Sequence, residues 1–389
     1  MAKAETGAAS APKNRQPNKR RPRVLGFLLT GLLTLVLIAL AVLVFIFRDE
    51  LRGENLRRTL GRGQTETVEA EAFTYETGTD QVFAAVGDGL AVASGSAVQL
   101  LSDAGKTVFK QVVSYAAPAV FAGRDAALFC DVGGKGAVYA RLNGESRAIV
   151  PAGTILSADM NANGDYLLVT EAAGYKALVS VYNGAGELLY EWWSGTGYVL
   201  RAALSPDSRS LAVLCAETGG GKLHLFSLSS ATERASLAFP DELPFELRYM
   251  GADALCVLGE AGLTFVDANG DALGTHDFGN YYLTDYCLSS ENFAVLFLSA
   301  YRAGTGGMLM TVNRSGEVLG WTEIDRDVLS LDARGRQVLV MTASSLEEYG
   351  QSMGVQHSHE GLMTAKKALL RQSGDVLLLS AYAAEKFRF

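Results

Sequence analysis

The sequence predicts an all-β fold, an eight-bladed β-propeller with seven blades as the alternative, preceded by one transmembrane α-helix. Three observations predict it: a turn-and-strand pattern recurs about every 41 residues, an uncharged apolar run lies near the N-terminus, and glycine is abundant. Forty-two glycines and eight prolines in 389 residues suit many short strands joined by tight turns, because glycine weakens helix interiors. A hydrophobic content of 49% is enough to bury a large core.

Residues 1–23 form a basic tail, in which seven Lys and Arg residues stand against Glu5 alone. Residues 24–47 contain no charged side chain and are long enough, at about 1.5 Å per residue, to cross a hydrocarbon layer of about 30 Å. A cleaved signal peptide has an apolar run of only about 7 to 15 residues, so we predict an uncleaved anchor. Segments rich in Lys and Arg beside a transmembrane helix usually remain in the cytoplasm. We therefore predict that the tail is cytoplasmic and that the C-terminal domain lies on the outer side of the cell membrane.

Residues 48–72 are predicted to be a polar juxtamembrane linker, and residues 73–389 the propeller. Of the 34 basic and 42 acidic residues, 22 and 38 respectively lie from residue 64 onward, which gives this part a net charge of −16. Phosphate backbones are bound by concentrated Lys and Arg. The sequence therefore predicts no nucleic-acid partner.

Eight copies of one pattern, a turn of small polar residues leading into an apolar run, follow residue 80. The equivalent apolar residues, spaced 38 to 45 residues apart, are Leu90, Leu128, Leu167, Leu211, Leu255, Phe293, Val338 and Val376. Between the copies lie two further strands around a glycine-containing turn, as in residues 181–189, 265–273 and 311–319. Four short strands in about 40 residues are typical of a propeller blade.

The last unit of the repeat is incomplete. It has about three strands, in residues 368–371, 375–380 and 384–389, whereas residues 73–76 precede the first full unit and have strand character. Because open sheet edges invite mispairing, we predict that residues 73–76 complete the blade begun by the C-terminus. The count falls to seven if the last hairpin packs outside the ring.

Two segments, residues 186–190 and 316–321, are similar to the Gly-x-x-x-aromatic ends of quinoprotein-type repeats. Residues 72–389 resemble the broad superfamily of quinoprotein-like and WD40-like propellers. The order of basic tail, single anchor and eight-unit body also resembles an uncharacterised family of single-pass Gram-positive membrane proteins with such an ectodomain. A Gly-His and Trp-Asp signature is absent, and only two units hold a Trp near the expected turn. The resemblance therefore implies a fold and not a chemistry.

One segment carries the residue types of a calcium loop. Asp159, Asn161 and Asn163 have the alternate spacing of oxygen ligands, but the twelfth position is Thr170 where a bidentate Glu belongs. The same place in neighbouring units is an ordinary hairpin. We interpret the segment as a turn.

A second segment carries residue types that bind transition metals. His357 and His359 lie on one side of an extended chain beside Glu360, as in a zinc or nickel site, but no third ligand is evident nearby. The segment lies in the longest insertion of the repeat, and we interpret it as an exposed polar loop. No metal and no cofactor is predicted.

Four cysteines occur in four different units at non-equivalent places, and they are Cys130, Cys215, Cys256 and Cys287. Free buried thiols are expected, with a disulfide between Cys256 and Cys287 as the pairing to check, since an exported domain could support one. The chain has no Gly-x-Ser-x-Gly elbow, and its glycine clusters lack phosphate-loop spacing. No catalytic residues are predicted.

Several aromatic residues lie near the predicted connections between blades, which reach one face of the disc: Tyr190, Trp192, Trp193, Tyr198, Tyr281 and Tyr282. Aromatic side chains at such places anchor a partner peptide or stack on a sugar, and packing between blades is the alternative explanation. The leading hypothesis is a non-enzymatic protein-binding or scaffolding module at the cell envelope. The alternatives are a sensor or binder of a small ligand or glycan that uses the central funnel and, third, a lyase or hydrolase.

Overall fold

A computed structural model describes residues 72–302, 305–361 and 363–389. All of the described residues belong to one compact unit. The predicted tail, transmembrane helix and nearly all of the linker lie outside the described residues. Within those residues, no helix has the length and apolar character needed to cross a membrane.

Thirty-two strands of the described chain form eight antiparallel sheets of four strands each, which are the blades. Blades 1 to 4 contain β2 (Val82–Val86), β3 (Gly89–Ala93), β4 (Ala97–Leu101), β5 (Thr107–Val112); β6 (Pro118–Ala122), β7 (Ala126–Asp131), β8 (Ala137–Arg141), β9 (Ser146–Ile149); β10 (Ile155–Met160), β11 (Tyr166–Thr170), β12 (Ala177–Tyr182), β13 (Leu188–Ser194); β14 (Tyr198–Leu204), β15 (Ser210–Glu217), β16 (Gly220–Ser227), β17 (Glu233–Pro240).

Blades 5 to 8 follow the same order. They contain β18 (Glu246–Tyr249), β19 (Ala254–Leu258), β20 (Gly262–Asp267), β21 (Ala272–Asp277); β22 (Tyr282–Cys287), β23 (Phe293–Ser299), β24 (Gly307–Asn313), β25 (Val318–Ile324); β26 (Ser330–Arg334), β27 (Gln337–Met341), β28 (Ser345–Gly350), β29 (Val355–Glu360); and β30 (Lys367–Leu370), β31 (Val376–Leu379), β32 (Ala383–Phe387) with β1 (Ala72–Thr74).

The first strand of each blade is the innermost, and neighbouring inner strands contact one another around the ring, for example β2 with β6 and β30, and β14 with β10 and β18. In blade 8 the strand order is β30-β31-β32-β1, so the N-terminal strand is the outer edge. Its residue Phe73 pairs with Ala384 of β32. The two ends of the described chain thus close the ring. The prediction of eight blades is confirmed, and the seven-blade alternative is wrong.

The core consists of eight hydrophobic clusters, one at each junction between adjacent blades. At the junction of blades 3 and 4, for example, Leu167 and Val169 of β11 pack with Leu211 and Val213 of β15. Every residue of β7, β11, β19 and β23 is buried, because these second strands are covered by a sheet on each face. Packing between blades therefore makes the ring a continuous core.

The recurring glycine turns have a local chemical cause. In the turn after β24, the side chain of Asn313 accepts hydrogen bonds from the backbone N–H groups of Ser315 and Glu317, at 2.9 and 3.0 Å. Gly316 then adopts a left-handed φ of 80°, which favours glycine. The turns after β12 and β20 repeat this geometry with Asn183 and Asp267. The repeat seen in the sequence is thus largely a repeat of hairpin chemistry.

Candidate functional site

The antiparallel order gives the propeller two different faces. The turns after the first and third strands of every blade lie at one end of the strands, which we name the turn face. The turn after the second strand and the link from the fourth strand to the next blade lie at the other end, which we name the connection face. Residue 72 and the C-terminal end of β32 both lie on the turn face, so the connection face has neither end of the described chain.

Exposed aromatic side chains concentrate on the connection face: Tyr175, Trp193, Tyr198, Tyr281, Tyr282, Tyr301 and Tyr382. In the described chain, the loops that join strands on the turn face contain no aromatic residue. Aromatic residues are enriched at protein interfaces because they bury a large area at little cost in side-chain entropy. The asymmetry therefore marks the connection face as the candidate binding surface.

The densest part of that surface, which we name the blade 3–4 aromatic cluster, consists of Tyr175, Trp193 and Tyr198. The rings of Tyr175 and Trp193 lie 5.0 Å apart, and the three side chains are 51%, 45% and 60% exposed. Lys176 Nζ lies 4.4 Å from the centre of the Tyr198 ring and donates a 3.0 Å hydrogen bond to its hydroxyl. This hydrogen bond lowers the pKa of Tyr198. A cation therefore already lies against the Tyr198 ring of this cluster.

A second aromatic pair lies farther round the same face. Tyr281 and Tyr282 are 45% and 42% exposed, and the guanidinium of Arg302 lies 5.2 Å from the centre of the Tyr282 ring. The loops of the connection face contain eight acidic and five basic residues. These loops are therefore acidic on balance, and the charged groups that lie over the exposed rings are those of Lys176 and Arg302.

Two of the aromatic residues predicted for this surface lie elsewhere. Trp192 and Tyr190 point from β13 into the junction of blades 3 and 4, where their rings lie 5.2 and 6.2 Å from the ring of Phe226. Trp192 also lies 5.6 Å from the ring of His224, whose two nitrogens contact Glu217 and Glu233 at 3.1 Å each. For these two residues, packing between blades is the role that the structure shows.

The segment with calcium-ligand spacing comprises Asp159 at the end of β10 and Asn161 and Asn163 in the turn that follows, and it joins blade 3 to blade 4. Asp159 accepts a 3.0 Å hydrogen bond from the backbone of Leu204. The Asn161 oxygen accepts hydrogen bonds from backbone N–H groups within its own turn, and its amide nitrogen donates to Ser205 O. Asn163 donates to Pro206 O at 2.8 Å. Backbone N–H groups therefore already occupy Asp159 Oδ2 and Asn161 Oδ1, two of the oxygens that calcium would need.

The His357, His359 and Glu360 segment is the outer strand β29 of blade 7, so our interpretation of it as a loop is wrong. All six of its residues are exposed, because an outer strand pairs along one edge only, and a polar sequence is compatible with that place. His357 lies 3.4 Å from Glu348 and stacks on Phe389, and His359 packs on Phe387. In the part of the chain that the structure describes, no three His, Cys, Asp or Glu side chains are grouped to hold a metal ion.

All four cysteines are free and buried, so Cys256 and Cys287 do not pair in this structure. They belong to different junction clusters, those of blades 5–6 and 6–7. Burial raises the pKa of every one of these thiols, to about 12 for Cys215 and Cys287. Since the thiolate is the reactive form, these cysteines act as small core residues.

The central channel is a second candidate site, with a cavity volume of about 670 Å³. Inner strands of blades 3 to 8 line it with charged and polar residues, which are Asp159, Arg201, Glu246, Arg248, Tyr286, Asp332, Arg334 and Lys367. Blades 1 and 2 line it with Phe83, Ala84, Ala85, Val120, Phe121 and Ala122. The charged residues of the channel therefore all come from blades 3 to 8, which also contribute leucines, whereas blades 1 and 2 contribute apolar residues only.

Polar contacts link the inner strands that carry these charged residues. Arg201 Nε lies 3.4 Å from Glu246 Oε2, which also accepts a 3.2 Å hydrogen bond from the Tyr286 hydroxyl. Arg248 lies 3.9 Å from Asp159, two blades away. Burial raises the pKa of Asp159, and that of the Tyr286 hydroxyl to about 12. The sequence predicted a central funnel as the alternative site but none of the residues that line it, because these residues are separated by whole blades along the chain.

One protein family and several solved structures are similar to this chain. A family model described as a family of unknown function (DUF5711) matches residues 64–377. No curated protein matches the chain.

Three solved structures illustrate the similarity of fold. BamB from Moraxella catarrhalis is 13% identical, with a TM-score of 0.52 over 81% of this chain and 98% of BamB. The C-terminal WD40 domain of Sif2 is 9% identical, with a TM-score of 0.57 over 82% and 98%. Sqt1 from Saccharomyces cerevisiae is 9% identical, with a TM-score of 0.56 over 81% and 98%. At these identities the likeness concerns the fold alone.

Proposed function

We propose that this chain, which belongs to the DUF5711 family of unknown function, is a membrane-anchored extracytoplasmic β-propeller that binds a protein partner at the cell envelope. The observation that carries the proposal is the concentration of exposed aromatic side chains on the connection face. The fold is that of BamB and WD40 propellers, a fold typical of protein-interaction scaffolds. The proposed role is binding and not catalysis.

The chemistry of the connection face favours a partner segment that bears Lys or Arg. Its loops are acidic on balance, and Lys176 over Tyr198 shows the geometry that a partner's cation would adopt on neighbouring rings. Cations over aromatic faces contribute roughly 0.5 to 2 kcal/mol each, and complementary charge speeds association. A basic partner segment therefore suits this surface better than an acidic one.

Trp193→Ala is expected to reduce recovery of the crosslinked partner at least tenfold, since truncating an aromatic anchor costs on the order of 2 kcal/mol. The measurement is quantitative pull-down of the full chain from its own membrane after crosslinking, at low and high salt. The matched control is Trp321→Ala, which removes a 58% exposed Trp from the outer strand β25. Equal losses in both variants would contradict the proposal, as would binding of a glycan with no protein partner.

The proposed orientation rests on the sequence of residues 1–47 and has its own test. Protease added to intact, wall-stripped cells should remove the propeller and leave an N-terminal epitope in residues 1–23 protected. Permeabilised cells provide the control, because the epitope should then be cleaved as well. Loss of the epitope and survival of the propeller in intact cells would reverse the orientation.

A further inference from the structure

In the central channel, the arginine side chains are more exposed to the lumen than the carboxylates beside them. The side chains of Arg201 and Arg248 are 46% and 48% exposed, whereas those of Glu246 and Asp159 are 22% and 15% exposed. A guanidinium has five N–H donors. Arg201 directs Nε toward Glu246 at 3.4 Å and Nη1 toward Leu200 O at 3.1 Å, and Arg248 lies 3.9 Å from Asp159, so each group keeps further donors for a ligand. The accessible charge in the channel is therefore positive, although the domain as a whole is acidic.

Two of the channel carboxylates, those of Asp332 and Asp159, already accept hydrogen bonds from the backbone. Asp332 accepts backbone hydrogen bonds from Leu370 of blade 8 at 2.8 Å and from Ala333 at 2.9 Å. Asp159 of blade 3 likewise accepts a hydrogen bond from the backbone N–H of Leu204 in blade 4. Each of these two carboxylates thus joins the inner strand of its own blade to the inner strand of the next blade. Burial raises the pKa of both carboxyls, which further reduces their contribution of negative charge.

Opposite the cations lies an apolar wall. Phe83 and Phe121 are half-buried on the inner strands β2 and β6: part of each side chain packs against the junction clusters of blades 8–1 and 2–3, and part lines the channel beside the 37% exposed Leu156 of β10. Ligand pockets of about 300 to 1,000 Å³ usually combine an apolar wall with a few polar groups that fix orientation. At about 670 Å³ the channel has the size and the division expected for a small amphiphilic molecule.

We infer that the central channel binds a small organic anion, with carboxylate or phosphate oxygens on Arg201 and Arg248 and an apolar portion against Phe83 and Phe121. Guanidinium groups recognise both oxyanions through paired N–H donors. Low-dielectric walls focus the potential of the channel cations, so an anion is attracted despite the negative charge of the domain. This inference is independent of the protein partner proposed for the connection face.

The test uses the full chain and four naphthalene probes that share one apolar ring system: 2-naphthoate, 2-naphthyl phosphate, neutral 2-naphthalenemethanol and cationic 2-naphthylmethylammonium. Isothermal titration calorimetry should show that at least one anion binds tenfold or more tightly than the neutral and cationic probes. The tighter anion identifies the oxyanion class. No binding, or equal affinity for charged and neutral probes, would overturn the inference without the need for any variant.

Arg201→Gln/Arg248→Gln is expected to weaken binding of the preferred anion at least tenfold, because hydrogen bonds to charged groups contribute more than neutral ones. The matched control, Arg124→Gln/Arg209→Gln, removes two exposed arginines from the turn face and should leave affinity unchanged. Equal weakening in the two double variants would show a general charge effect and contradict the site. Partner recovery through Trp193 should be unaffected, which separates this result from the test of the proposed function.

Discussion

Phe73→Ala is expected to lower the free energy of unfolding by about 3 to 5 kcal/mol, the range for truncating a fully buried Phe. Phe73 is 0% exposed and packs in the junction of blades 8 and 1. It is the central residue of β1, a strand of only three residues, and its ring lies 5.7 and 5.5 Å from the cations of Arg371 and Lys386. Urea unfolding followed by tryptophan fluorescence measures the effect.

The matched control for this variant is Phe389→Ala. It makes the same chemical change at a side chain that is 38% exposed and lies outside the junction clusters. We expect the control to change the urea midpoint little. If the two variants behaved alike, β1 would contribute little to closure of the ring, and the blade 8 to blade 1 junction would be held by other contacts.

Arg371→Ala is expected to destabilise the same junction by about 3 to 5 kcal/mol, because it removes several buried hydrogen bonds from a charged donor, each worth about 1.5 to 3 kcal/mol. Arg371 is 3% exposed and crosses from blade 8 to two turns of blade 1. Its Nε donates a 2.8 Å hydrogen bond to Asp88 O, and its Nη2 donates to the same oxygen and to Asp103 O at 3.1 Å. Without Arg371, both carbonyl groups lose a buried donor.

The conservative variant Arg371→Lys distinguishes geometry from charge. An ammonium keeps the positive charge but cannot reach two carbonyls as a planar fork does, so we expect only partial recovery of stability. Arg209→Ala, an exposed arginine in the turn after β14, is the control and should change the urea midpoint little. A midpoint for Arg371→Ala equal to that of the control would show that β1 alone closes the ring. Limited proteolysis provides a second measure, since an opened junction exposes its edge strands.

Phe73 and Arg371 hold the junction in different ways. Phe73 fills the interior of the blade 8 to blade 1 cluster, while Arg371 and the backbone of Ser373 bind the turns of blade 1, the latter through Asp88 at 2.6 Å. These contacts join residues separated by nearly 300 positions, so they form only when the ring closes. Both variants should therefore affect closure more than the stability of any single blade.

The two candidate sites differ in what the fold contributes to each. The connection face is built from loops, where aromatic residues can be exposed without loss of core packing. The channel is built from inner strands, whose positions are fixed by the ring. A partner on the face and an anion in the channel would therefore contact different residues of the same ring.

The sequence by itself determined the blade. Alternation of apolar residues, Asn or Asp at the start of turns and glycine at their ends are local features, and local chemistry repeats wherever the pattern repeats. The period of about 41 residues and the missing strand of the last unit then led to eight blades and to closure by an N-terminal strand, which β1 supplies.

Only the tertiary structure decided which side of each strand meets a neighbour. Trp192 and Trp193 are adjacent in the sequence, yet one packs in the junction of blades 3 and 4 and the other is exposed on the connection face. Which of the two side chains is buried depends on how neighbouring blades pack, and a local sequence pattern does not specify that packing. The channel has the same origin: Arg201 and Arg248 are 47 positions apart in the sequence, and closing the ring brings them to one lumen opposite Phe83.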